Sequence, residues 1–310
     1  MTRSFFIGCC VLLLAGCSGI TLVYNRIDWF APFYVDDYVS LDRTQRTLLK
    51  RELVELRDWH CGTQLNHYAR WAAALEGDIR EQRLTPEQVA LRYDEVRAAL
   101  RHVVSAASPG TAQLFLTLSP AQHEEFFRRL DSENDEFNAT YVDTPLPEAE
   151  QAYAKRMQNQ LSEWIGALSA EQQQRVQRWS ERVAPGAADR LLARRAWQME
   201  LRRLLREPGD PLSFEIELRT LLVHPDQFRP ERYQAIRDAY RSEMIALLGD
   251  IAATLTPKQR DRLLAQARGW RRDFERMACK APSSAGNEPS PVPLGGANGV
   301  SKIFSFIPIG

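Results

Sequence analysis

The sequence lacks an excess of either charge. Lysine and arginine total 40, aspartate and glutamate total 40, and the formal net charge is zero. Arginine pairs such as Arg194 and Arg195 are interspersed with acids, which is typical of solvent-exposed helix faces. A chain without net charge has no general electrostatic attraction for nucleic acid. We therefore predict no nucleic-acid partner.

Motifs of the common catalytic and metal-binding classes are also missing. The chain has no Gly-x-Ser-x-Gly elbow, no phosphate-binding glycine loop, no His-Glu-x-x-His helix and no Cys-x-x-Cys pair. Histidine is scarce, and His60 and His67 would need further ligands to hold a metal ion. We expect both to be structural. The sequence predicts a protein that is not an enzyme and has no metal site or other cofactor.

Long apolar runs are scarce, and the most pronounced one lies near the N-terminus. Residues 1–16 contain Arg3, then an apolar stretch at 5–14, then small residues, which is the pattern of a secretory signal peptide. No later run approaches the ~20 apolar residues of a membrane-spanning helix.

The predicted signal ends in Leu14-Ala15-Gly16-Cys17, which closely resembles the lipobox of bacterial lipoproteins. The resemblance implies cleavage before Cys17, a diacylglycerol on its thiol and an acyl group such as palmitate on its amino group. More than one acyl chain gives stable attachment to a membrane. Lipoproteins kept in the inner membrane of Gram-negative bacteria tend to carry Asp at the next position, and Ser18 stands there instead. The resemblance therefore implies an outer-membrane anchor and a periplasmic domain.

Two cysteines remain in the predicted mature domain, Cys61 and Cys279. An even number of cysteines in an oxidising compartment favours a disulfide. Two separate buried thiols are the alternative.

The chain divides into four predicted segments: the signal at 1–16, an aromatic-rich lipid-anchored segment at 17–40, a helical domain at 41–280 and a disordered tail at 281–310. Rings in the second segment, such as Trp29 and Phe33, fit either a membrane interface or packing on the helical body. The tail is rich in Pro, Ser, Gly and Asn, but residues 303–309 are apolar, so they either dock on the domain or form an unselected extension.

The helical domain shows apolar residues at spacings of three and four. Tyr153, Met157 and Leu161 are one such stripe. Turn chemistry predicts five breaks. They lie at Ser108-Pro109-Gly110, Thr144-Pro145-Leu146-Pro147, Ala184-Pro185-Gly186, Glu207-Pro208-Gly209-Asp210-Pro211 and His224-Pro225. The fold class predicted is all-α, a multi-helix array of about nine or ten helices.

A short pattern, Leu-[Ser/Thr/Asp]-x-x-Gln, occurs five times. The cap oxygen accepts a hydrogen bond from a free N–H of the first helical turn, and the glutamine returns to the cap's own N–H, which is a capping box. Each copy therefore predicts a helix start. The cap and glutamine are Asp42 and Gln45, Thr85 and Gln88, Ser119 and Gln122, Ser169 and Gln172, and Thr256 and Gln259.

This pattern resembles the LTxxQ motif of Spy/CpxP-type periplasmic proteins, which are small helical envelope-stress chaperones and metal-resistance sensors. Residues 10–280 as a whole resemble a family of uncharacterised helical lipoproteins of proteobacteria, which has no established activity. The resemblances imply a membrane-anchored periplasmic lipoprotein that binds protein partners, chaperone-like or active in envelope maintenance. A structural scaffold is the alternative, and a metal or stress sensor is a further one.

Overall fold

The computed structural model describes residue 21 and residues 23–279. The predicted lipidation site Cys17, Ser18 and the C-terminal residues 280–310 lie outside the described residues. Across the described part the chain is all-α, without a strand. Residues 27–277 form eleven α-helices: α1 (Ile27–Asp36), α2 (Arg43–Thr63), α3 (Leu65–Arg80), α4 (Pro86–Thr117), α5 (Pro120–Tyr141), α6 (Leu146–Ile165), α7 (Ala170–Val183), α8 (Ala187–Arg206), α9 (Pro211–Val223), α10 (Arg232–Ala253) and α11 (Pro257–Met277).

The helices bury their apolar stripes in adjoining clusters. Tyr68 of α3 packs edge to face on Phe274 of α11, and these two helices form the most extensive pair. Met157 of α6 and Met244 of α10 belong to a second cluster with α7. Phe214 of α9 is fully buried in a third cluster among α4, α5 and α8. The stripes predicted from spacing are therefore core faces.

Helix α4 is 32 residues long and continues through Ser108-Pro109-Gly110, so the predicted break there is wrong. A proline inside a helix removes one backbone hydrogen bond and costs about 3 kcal/mol. The packing of helix α4 against α2, α9 and α10 offsets that cost.

The other four predicted breaks coincide with helix boundaries. Ala184–Gly186 is a short 3₁₀ helix between α7 and α8, and Pro225–Phe228 is another after α9. One boundary that the turn signals do not mark falls at Gln64, between α2 and α3. It separates His60 from His67, so the two histidines do not share one helix.

Candidate functional site

The five copies of the capping motif each begin a helix. Asp42, Ser119, Ser169 and Thr256 precede α2, α5, α7 and α11. In these four copies the cap accepts from the backbone N–H of the glutamine. The glutamine Oε1 in turn accepts from the cap's N–H at 2.8–3.0 Å. Both hydrogen bonds of a capping box are present in each.

The glutamines of these four copies are joined in two pairs across the fold. Gln45 and Gln122 exchange amide hydrogen bonds at 3.1 and 2.7 Å, 77 residues apart in sequence. Gln172 and Gln259 do the same at 3.0 and 2.9 Å, 87 residues apart. Each Nε2 also donates to the carbonyl two residues before its partner's cap. The motif therefore ties helix N-termini to each other in addition to capping them.

The fifth copy, before α4, is different. Thr85 accepts from the backbone N–H of Gln88 at 3.4 Å, and no return bond completes a box within this described motif. Instead, Pro86 lies against α10, so close that a Cβ on Gly249 would come within 3.2 Å of Pro86 Cγ.

Cys61 and Cys279 form a disulfide with a Cα–Cα distance of 5.0 Å. The Cys279 N–H also donates to the carbonyl of Cys61 at 3.1 Å. The bond joins Cys61, near the end of α2, to Cys279, two residues after the end of α11. The two cysteines are 218 residues apart in the sequence. The end of α2 and the residues that follow α11 therefore lie side by side.

A buried hydrogen-bonded chain lies beside that disulfide. The Tyr24 hydroxyl bonds to Nδ1 of His60, and the Tyr68 hydroxyl bonds to Nε2, both at 2.9 Å. Burial raises the pKa of both tyrosines well above the ordinary value. His60 therefore has a structural role, holding the segment before α1 to α2 and α3.

An apolar groove of about 820 Å³ lies between α1, α2 and α4. Helix α2 contributes one face to it, with Leu49, Leu53, Leu56 and Trp59 at helical spacing. The opposite wall is the stretch of α4 that includes Ala107 and continues through Leu114. Small residues on α4 leave the space open, and the volume is in the range of ligand and peptide sites.

Gly110 sets the distance between the two walls. A Cβ at this position would lie 2.6 Å from Glu52 Oε2 and 2.9 Å from Glu52 Cβ, so only glycine allows α4 to cross α2 this closely. Glu52 and Glu55 both line the groove and both pair with Arg51, at 2.7 and 3.8 Å. Two carboxylates share one guanidinium, which leaves this rim acidic.

The other end of the groove is held by polar contacts around Tyr38. Its hydroxyl donates to Glu133 at 2.7 Å, and the guanidinium of Arg129 lies 5.5 Å from the ring centre. Burial and the hydrogen bond to Glu133 raise the pKa of Tyr38. Ser40 adds a hydrogen bond to Glu125. These hydrogen bonds hold Tyr38 and Ser40 in place at this end of the groove.

The described aromatic residues before residue 41 differ in how far they are exposed. Tyr24 is buried in the core, whereas Trp29, Phe33 and Tyr34 of α1 are 58%, 61% and 72% exposed. Trp29 packs edge to face on Phe33 at 5.9 Å between ring centres. Since Tyr34 also lines the groove, the exposed aromatic face of α1 continues into it.

Sequence reasoning did not identify this groove. The sequence does carry a signal at Ala106-Ala107-Ser108-Pro109-Gly110, a run of small residues that is typical of a close helix crossing. The predicted helix break covers the last three residues of this run, Ser108-Pro109-Gly110. Among residues 21 and 23–279, the structure has no group of three or more potential metal ligands and no helix long and apolar enough to cross a membrane.

Comparison with known proteins identifies one family. The family model described as a family of unknown function (DUF6279) matches residues 37–234, which include α2 to α9 and four of the five capping motifs. No curated protein and no solved structure matches the chain.

Proposed function

The chain belongs to DUF6279, and we propose that it is a membrane-anchored periplasmic lipoprotein that binds apolar segments of other proteins in the groove between α1, α2 and α4. The groove is the observation that carries this proposal. It is large, lined by apolar side chains and open beside the exposed aromatic face of α1. A groove between two helices accepts apolar side chains of a partner helix or extended segment.

The acidic rim narrows the kind of partner. Glu52 and Glu55 outnumber the single guanidinium that they share, so a basic residue beside an apolar stretch would gain a charge interaction there. We therefore propose client segments with apolar side chains flanked by lysine or arginine. This would be a chaperone-like or envelope-maintenance activity.

The anchor rests on Leu14-Ala15-Gly16-Cys17 and the outer-membrane location on Ser18, all outside the described residues. The substitution Cys17→Ser should abolish acylation and leave the uncleaved precursor, as measured by intact mass. Cys279→Ser is the matched control and should leave acylation unchanged. A wild-type protein that is free in the periplasm without acyl mass would refute the anchor.

Ser18→Asp should move the protein to inner-membrane fractions, and an unchanged distribution would refute the outer-membrane assignment.

Client binding is tested with denatured malate dehydrogenase diluted into buffer with the mature protein. We expect equimolar protein to suppress its light scattering. Ala107→Phe places a large ring in the groove and should reduce suppression several-fold. Leu192→Phe, at an exposed position of α8, is the matched control and should retain it. Equal suppression by both variants would exclude the groove as the binding site.

A scaffold lipoprotein is the alternative and gives a different result. It would not suppress aggregation, but in vivo crosslinking would yield one specific partner protein.

A further inference from the structure

We propose that residues 303–309 of this same chain, Ile-Phe-Ser-Phe-Ile-Pro-Ile, bind in the groove between α1, α2 and α4 and compete there with client proteins. The binding of this segment is argued from the lining of the groove and from the path of the chain. Its competition with client proteins rests on the proposed function.

The chemistry of the segment matches that of the groove. Six of its seven residues are apolar, and Lys302 precedes them directly. The apolar stretch matches the apolar walls of the groove. Lys302 matches its acidic rim, because Glu52 and Glu55 share the single guanidinium of Arg51. Removing these side chains from water favours binding in proportion to the apolar area that is buried.

The exit point of the chain brings the segment near the groove. Cys279 is bonded to Cys61. Cys61 lies on α2, two residues after Trp59, which lines the groove. The groove runs along α2 from Trp59 to Leu49, which is about 15 Å at 1.5 Å per residue. Cys61 packs in the cluster with α3 and α11, and helical periodicity places it about 200° around α2 from Trp59, so the chain must also pass around a helix ~10–12 Å in diameter.

The intervening chain is long enough for this path. Residues 280–302 number 23, and twelve of them are Gly, Pro or Ser. A chain of this length and composition has a root-mean-square span of about 26 Å. That span matches the distance to be covered, and a linker whose span matches its target gives an effective concentration in the millimolar range. A segment with only modest intrinsic affinity would therefore fill the groove most of the time.

Photo-crosslinking in intact cells tests the contact directly. With benzoyl-phenylalanine in place of Phe306 in the full chain, we expect intramolecular crosslinks to the α2 and α4 walls of the groove, at a yield independent of expression level. The same probe at Val292 is the control and should not give these products. Ala107→Phe should remove the crosslinks, and Leu192→Phe should keep them. Crosslinks to a second copy, to lipid, to other proteins alone or to other parts of the chain would overturn the proposal.

Competition is measured with a fluorescent peptide of residues 302–309 and the purified protein with or without residues 303–309. A tail that fills the groove nine-tenths of the time lowers the apparent affinity about tenfold, so the shortened chain should bind the peptide about ten times more tightly. Equal affinity, or no binding to either form, would overturn the proposal.

The two proposals fail separately. Tight peptide binding by the shortened chain without any suppression of malate dehydrogenase aggregation would refute the client function and leave the tail contact standing. Strong suppression with no peptide binding and no groove crosslink would refute the tail contact alone.

Discussion

Gln172 and Gln259 hydrogen-bond to each other in both directions, although 87 residues separate them. Both side chains are buried, Gln172 completely. Their amides hold the N-termini of α7 and α11 together in the core. The pair of Gln45 and Gln122 does the same for α2 and α5.

Replacing one member of the buried pair should be costly. Gln172→Leu removes four hydrogen bonds: the Ser169 N–H and the Thr254 carbonyl lose the partner that Gln172 provides, and the Gln259 amide loses one donor and one acceptor. We expect a loss of about 2–4 kcal/mol in the free energy of unfolding, measured with urea. Gln88→Leu, in the unpaired copy of the motif, should cost less than about 0.5 kcal/mol. If the two substitutions cost the same, the amide pair does not stabilise the fold.

The double variant gives a second, independent measure of the pair. Gln172→Leu combined with Gln259→Leu should cost less than the sum of the two single changes, because neither amide is then left with an empty partner position. Strict additivity in urea unfolding would show that the two side chains act separately.

The disulfide should contribute strongly to stability. It closes a loop with a sequence separation of 218, for which loop entropy gives about 4–5 kcal/mol. We expect Cys279→Ser to lower the melting temperature and to increase hydrogen exchange first at the end of α11. The double variant that also carries Cys61→Ser should behave like the single one. Alkylation of both thiols in denatured, unreduced mature protein would mean that the bond does not form.

Glu76 should make stability depend on pH. Its hydrogen bond with Arg268, and then the charges of Arg271 and Arg80, hold the pKa of this carboxyl below its usual value. A lowered pKa in the folded state stabilises the protein above the unfolded-state pKa of about 4.3, and the gain is lost as pH falls further. We expect Glu76→Gln to cost about 1 kcal/mol at pH 7, because solvent around the partly exposed arginines screens the interaction.

The pH profile distinguishes this effect from a change in packing. The stability difference between wild type and Glu76→Gln should be constant from pH 7 to 5 and should shrink below about pH 4.3. Glu81→Gln, in an exposed ion pair with Arg83, is the control and should show little effect at any pH. A difference that persists unchanged at pH 2 would contradict the electrostatic explanation.

Two helix glycines should respond to alanine in opposite directions. Gly110→Ala places a Cβ 2.9 Å from Glu52 Cβ, which we expect to destabilise the fold by about 1–3 kcal/mol. Gly269→Ala, in α11, meets no atom within 4 Å and should stabilise by about 0.5–1 kcal/mol. Thermal unfolding measures both. A stabilising Gly110→Ala would show that α2 and α4 do not cross as closely as the structure has them.

Local patterns in the sequence predict local structure here, and they do not predict the contacts between distant residues. The cap at Ser169 depends on atoms within three residues, so its helix start follows from the motif. The contact of Gln172 with Gln259 depends on where α7 and α11 pack, and no single motif encodes that. Pro109 shows the opposite case, since packing of α4 against three helices overrides a local turn signal. The groove depends on that same crossing, and the sequence therefore did not reveal it.

The bond between Cys61 and Cys279 also decides how the domain would carry mechanical tension. A pull applied between Tyr24 and Cys279 follows the chain through α1 and α2 and then crosses the sulfur–sulfur bond. Residues 62–278 lie inside the covalent loop and carry none of that force. Nine of the eleven helices in residues 27–277 would therefore stay folded while the two ends are under strain, and only α1 and α2 would yield.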